Sequence, residues 1–138
     1  MMGGASSPPG QSYLLDSSVL IPSLRGESAI AARIASIPAG YVSSIVLGEL
    51  YFGAYGSPTC QEAALQDITA VMQSLTILAS DAITAQIYGR IKQSLKSKGL
   101  FMPDNDLWIA ATAIQYDITL AARDSHFDWI EELRVEQW

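Results

Sequence analysis

Four acids stand where a plain solvated surface explains them poorly: Asp16, Glu49, Asp106 and Asp124. Asp16 stops the apolar run Tyr13-Leu14-Leu15, and Asp124 follows the run Ile118 to Ala122 after a single Arg. In an open α/β sheet the carboxyl ends of the strands are where ligands gather. Glu49 lies in a helical stretch with Ile45 four residues before it and Phe52 three after, so its carboxylate shares a face with apolar neighbours. Asp106 falls in the first turn of the helix that runs on through Leu107, Trp108 and Ile109, with Asp104 two residues earlier. Both favour the positive end of that helix.

Each acid also has a simpler reading. Asp104 fits equally well as a helix cap, Asp16 and Asp124 could each start the helix after its strand, and Glu49 could pair with an Arg. Their joint presence favours a site, because buried acids without partners are costly and four converging by chance is less plausible. Gathered carboxylates repel unless a cation neutralises them. An all-oxygen set without His or Cys suits a hard divalent ion, Mg²⁺ or Mn²⁺. One or two such ions can activate a water and polarise a phosphoryl group, which is metal-assisted phosphodiester hydrolysis.

Arg90, Lys92, Lys96 and Lys98 are half of all the basic residues, and no acid lies between Asp81 and Asp104. This stripe is either a solvated helix face or a place to hold an RNA backbone. Arg123 could contact a phosphate or pair with a nearby acid. His126, the only histidine, reads as a surface residue at a helix start, since a carboxylate-held metal generates its own nucleophile. Trp108 reads as a core or dimer contact rather than a base-stacking platform, and Cys60 has no neighbours in sequence that would activate its thiol.

The elements that must position these residues follow from pattern. Apolar runs at 13–15, 41–43, 76–79 and 118–122, with Arg134-Val135-Glu136 after them, read as buried parallel strands. Between them, Ser17 and Ser18 could cap a helix ending near Gly26. Further helices read over 28–36, 44–55 and 59–73, over 82–98 with Ile83, Ile87, Ile91 and Leu95 on one face, from Pro103 onward, and over 125–132. Strands alternating with helices predict a three-layer α/β/α domain around a mostly parallel sheet.

Length and composition agree. The 138 residues, 49% hydrophobic and 16% charged, suffice for one domain with a single core. The domain is expected over 12–138, with the Gly, Ser and Pro-rich stretch 1–11 as a flexible leader. There is neither a signal-peptide pattern nor an apolar run of membrane-spanning length, and one cysteine rules out an internal disulfide, so the expected location is the cytoplasm. Fourteen acids against eight bases give a net charge of -6, which argues against a protein that coats nucleic acid by bulk attraction. Setting aside Asp16, Glu49, Asp104, Asp106 and Asp124 leaves nine acids against eight bases, so nearly all of the excess belongs to the proposed site.

The chain resembles the PIN-domain ribonucleases, most closely the VapC-type toxins of bacterial toxin-antitoxin pairs. The resemblance rests on five stretches in order: Tyr-Leu-Leu-Asp-Ser-Ser-Val-Leu-Ile at 13–21, Ser-Ser-Ile-Val-Leu-Gly-Glu-Leu-Tyr-Phe-Gly-Ala at 43–54, Tyr-Gly-Arg-Ile at 88–91, Pro-Asp-Asn-Asp-Leu-Trp-Ile-Ala-Ala-Thr-Ala at 103–113, and Ala-Arg-Asp-Ser-His-Phe at 122–127. It implies that Asp16, Glu49, Asp106 and Asp124 are the metal-binding and catalytic carboxylates, with Asp104 as an accessory ligand. It further implies a sheet of about five parallel strands, a homodimer, Mg²⁺-dependent cleavage of RNA, and inhibition by a small VapB-like antitoxin. Two positions depart from the pattern: Ser17 stands where Thr often follows the first Asp, and Ala122 stands where relatives commonly carry Thr or Ser. The first keeps a hydroxyl; the second removes a group that would orient a ligand. The alternatives are a housekeeping nuclease of the same fold, a receiver-like phosphoacceptor domain and a catalytically silent binding domain. The receiver reading needs a Lys ending the fifth strand, and the last Lys here is Lys98.

Overall fold

The structure, a computed structural model, describes residues 12–138; the expected leader lies outside them. Five strands form one parallel sheet: β1 (Ser12–Leu15), β2 (Ala39–Ser43), β3 (Thr76–Leu78), β4 (Thr119–Ala122) and β5 (Val135–Gln137). Their spatial order is β3-β2-β1-β4-β5. The chain therefore builds outward from β1 in one direction, returns, and builds outward in the other. That reversal makes the β1/β4 boundary the switch point, where the connections leaving two adjacent strands diverge and open a crevice.

Six α-helices connect the strands: α1 (Ser17–Leu24), α2 (Ser28–Ser36), α3 (Ser44–Tyr55), α4 (Gln61–Met72), α5 (Ala82–Ser97) and α6 (Asp104–Tyr116). All four residues of β4 are buried, which requires cover on both faces of the sheet. The core runs from Leu14 and Leu15 through Val42, Val46, Ile109 and Leu120 to Phe127, all fully buried. Gly26 and Gly99 take left-handed φ values of 92° and 72° just past α1 and α5, as expected of residues that close helices.

Three local expectations change. The segment after Asp124 is a short 3₁₀ turn, Ser125–Trp129, rather than a helix to 132, because Phe127 is drawn fully into the core and pins the turn. On α5, Ile83 is 56% exposed, and Thr84 is the buried residue at that end. Its hydroxyl is satisfied by Asp81 and Gln115, and Thr84 and Asp81 together form a capping box, so a polar residue faces inward at no loss of hydrogen bonding. Finally, α1 is capped by Asp16 rather than by Ser17 or Ser18.

Candidate metal centre

Asp16 sits one residue past β1 and is 3% exposed. Its Oδ2 accepts hydrogen bonds from the Ser18 backbone N–H at 3.1 Å and the Ser18 hydroxyl at 2.6 Å. Its Oδ1 is buried with no partner. Burial raises the Asp16 pKa, opposed by the bonds from Ser18 and Ser17, and the charge of Asp124 raises it further. The cap reading therefore holds through Oδ2, and Oδ1 is left without a partner.

Glu49 reaches the same region from α3, whose buried face is Val46, Leu50 and Ala54. It is half-buried as expected, although the Phe52 expected beside it on an apolar face is 84% exposed. No Arg pairs with Glu49 among the described residues, and its Oε1 is a second buried oxygen without a partner. Burial raises its pKa and Asp16 adds to the effect, while hydrogen bonding to Asn105 and Ser17 opposes it. Asp106, in the first turn of α6, is half-buried and is pushed up to about 6, first by burial and then by the charges of Asp16, Asp124 and Glu49. Four acids from four segments thus share one electrostatic field.

Asp124 follows β4 and accepts from the His126 backbone N–H at 2.9 Å, while the His126 ring Nδ1 lies 2.7 Å from the same Oδ1. Among the described residues no three His, Cys, Asp or Glu side chains are gathered closely enough to enclose an ion. The donor set nevertheless fits a hard divalent cation. Two buried carboxylate oxygens lack any hydrogen-bond donor, no Lys or Arg pairs with Asp16, Glu49 or Asp106 among the described residues, and the four carboxylates offer oxygen only.

The remaining candidates lie apart from this field. Asp104 is exposed; its Oδ1 accepts from Lys92 Nζ and from the Tyr88 hydroxyl, each at 2.9 Å, and these bonds lower its pKa. Within the basic stripe, Arg90 pairs with Glu132, Lys92 with Asp104, and Lys98 lies 3.9 Å from Glu131. Lys96 alone of the four makes no ion pair among the described residues. Arg123 binds Glu27 through both terminal nitrogens, at 2.6 and 3.3 Å, and donates from Nε to the Trp138 backbone oxygen. Trp108 is half-buried and stacks on Tyr88 with ring centroids 4.2 Å apart, and Cys60 is exposed at the start of α4.

Two contributors escaped the sequence reading, Ser18 and Asn105. Asn105 sits between two acids in Pro-Asp-Asn-Asp, and the helical first turn that turns it toward Glu49 is a tertiary fact. The only sequence signal for Ser18 was its place two residues after Asp16, the register of a side chain-backbone turn.

A family model for the PIN domain matches residues 13–133. Ribonuclease VapC2 of Haemophilus influenzae is 35% identical over 100 residues, covering 70% of this chain and 74% of that one. Ribonuclease VapC1 of the same species is 27% identical over 131 residues, covering 91% and 97% respectively. Among solved structures, VapBC2 from Rickettsia felis bound to a DNA fragment from its promoter superposes with a TM-score of 0.86 at 27% identity, over 93% of this chain and 99% of that one. With its strand order, its acids at the switch point and these matches in agreement, the chain belongs to the PIN-domain family, among its VapC-type members.

Proposed function

We propose that this chain is a divalent-metal-dependent endoribonuclease that hydrolyses RNA phosphodiester bonds and acts as the toxin of a VapBC-type pair. The observation that carries the reading is the pair of buried, donor-free oxygens on Asp16 and Glu49 beside an Asp106 pushed up to about 6. Such a group is stable in ionised form only with a cation among its members. Asp16, Glu49 and Asp106 hold the metal, with Asp124 completing the set and Asp104 as an accessory ligand. Mg²⁺ or Mn²⁺ held there would supply a Lewis acid that polarises the phosphoryl group and makes an attacking water more acidic.

The protein's own share is placement and charge. Ser18 fixes one oxygen of Asp16, while Asn105 and Ser17 favour the charged form of Glu49. The metal-free cluster repels a phosphodiester, so substrate engagement follows neutralisation. Lys96, and Lys92, Lys98, Arg90 and Arg123 once their present acid partners are exchanged for phosphates, supply backbone contacts for RNA. The partner is a VapB-like antitoxin, the active form is a homodimer, and the site of action is the cytoplasm. No helix among the described residues is long and apolar enough to cross a membrane.

Purified protein is expected to cut single-stranded RNA with Mg²⁺ or Mn²⁺ and to stop with EDTA or on Asp106→Asn. Cleavage that persists through both treatments would overturn the nuclease assignment. The toxin half is tested separately: expression should arrest growth, and co-expression of a short open reading frame from just upstream should relieve it. Growth unaffected by the wild type would remove that half.

A further inference from the structure

The Ser18 hydroxyl stands between two strand ends. It donates to Asp16 Oδ2 at 2.6 Å and accepts from the Arg123 backbone N–H at 2.9 Å. Asp16 follows β1 and Arg123 follows β4, the two strands that flank the switch point. Their ladder already extends past β1, since the Asp16 N–H donates to the Ala121 carbonyl at 3.0 Å. The next amide available on the β4 side, that of Arg123, goes to a side chain instead of to a strand. Ser18 therefore replaces a ladder bond with a bond that ends on a carboxylate.

The replacement has a directional consequence. An ionised carboxylate can only accept, so the Ser18 proton points to Asp16, and the oxygen's lone pair is left for the Arg123 amide. Amide, hydroxyl and carboxylate then form a chain in which each bond polarises the next. Both the N–H and the hydroxyl of Ser18 converge on Oδ2, which holds the carboxylate in one rotamer and leaves Oδ1 as the oxygen without a donor. The neighbouring Ser17 acts elsewhere, lowering the pKa of Glu49. The last two residues of β4, Ala121 and Ala122, carry no polar side chain that could duplicate the link.

We infer that Ser18 is a positioning residue for the metal centre, locking Asp16 against the β4 end that carries Asp124 so that Asp16 Oδ1 is presented as a preset ligand. This rests on the metal-centre reading above and adds to it the group that sets the ligand's orientation. A partner that orients a ligand from outside the coordination sphere is typically worth about 10–100-fold in metal affinity.

The test is Mn²⁺ binding, followed by the EPR signal of the free ion, in the wild type, Ser18→Ala and Ser18→Thr, with melting temperatures measured alongside. Ser18→Ala is expected to weaken Mn²⁺ binding by about tenfold or more, and Ser18→Thr to restore most of it. RNA cleavage by Ser18→Ala is expected to fall at limiting Mn²⁺ and to recover as the ion saturates. If Ser18→Ala folds poorly, Ser18→Cys, of similar volume but a weaker donor, is read in the same way. A Ser18→Ala protein that melts lower yet binds Mn²⁺ as tightly as the wild type makes the residue structural only and overturns the inference. A wild type that binds no Mn²⁺ overturns the metal-centre reading itself, so the two failures are told apart.

Discussion

The carboxyl end of the β1/β4 boundary and the outer face of α5 use the same ingredients to opposite ends. On α5 and its surroundings, Arg90, Lys92 and Lys98 are exposed and each lies against an acid within 4 Å. Around the strand ends, Asp16, Glu49 and Asp106 are buried or half-buried and, among the described residues, form no ion pair with Lys or Arg. Exposed pairs are solvated on all sides and are worth between zero and about 1 kcal/mol. Buried like charges are unfavourable until something of opposite sign joins them. A charge that folding has paired on the surface favours solubility; a charge left unpaired inside is one that a bound cation would stabilise.

The widest separation between the two regions is expected in catalysis. Asp16→Asn should lower the rate of RNA cleavage at saturating Mg²⁺ by about a thousandfold, the scale of several kcal/mol of lost electrostatic stabilisation. Glu132→Gln, which removes the acid that Arg90 engages on the outer face, should stay within about threefold. Equal losses would erase the distinction.

Stability of the metal-free protein should separate them next. Asp106 has a folded pKa of about 6 against its usual 3.8, so the folded state holds this proton more tightly than the unfolded chain. Its contribution to stability is therefore lost as pH rises from about 4 through 6, the reverse of an ion-paired acid. Asp106→Asn should stabilise the metal-free protein at pH 7 by about 1 kcal/mol, after discounting for partial exposure, with a smaller difference at pH 4. Mg²⁺ should raise the melting temperature of the wild type and not that of the variant. A variant less stable than the wild type at pH 7 without metal would mean that Asp106 is a paired structural acid.

Asp104 tests the border between the regions. Because it is committed to Lys92 and Tyr88, Asp104→Asn should cost less than about tenfold in cleavage, a weaker effect than loss of a primary ligand. A loss matching that of Asp16→Asn would place Asp104 inside the cluster. The smallest effect concerns Lys96, the stripe member without an ion pair among the described residues. If it contacts a phosphate, Lys96→Ala should flatten the salt dependence of RNA binding by about 0.7 in the logarithmic slope for single strands. An unchanged slope would return the stripe to ordinary surface.

Much of this was legible in the chain. Apolar runs ending at Asp16 and shortly before Asp124 located two strand ends, because a strand buried on both faces must be apolar throughout and must stop where a charge appears. The α5 register was less well read: Ile83 fits the helical period, yet a buried Thr84 satisfied by Asp81 and Gln115 occupies the inner position. Period alone does not reveal that a polar residue will find partners thirty residues away.

The sequence by itself determined which residue types stand at the ends of which elements, since burial and capping are read over a few neighbouring residues. It also determined the family, through five short stretches kept in order. Only the tertiary structure decided which charges are spent. That Asp104 turns to Lys92, Arg123 to Glu27 and Ser18 to the far strand end depends on pairings 12, 96 and 105 residues apart in the chain. Local spacing carries no information about such contacts, nor about which two carboxylate oxygens are left buried and unpartnered.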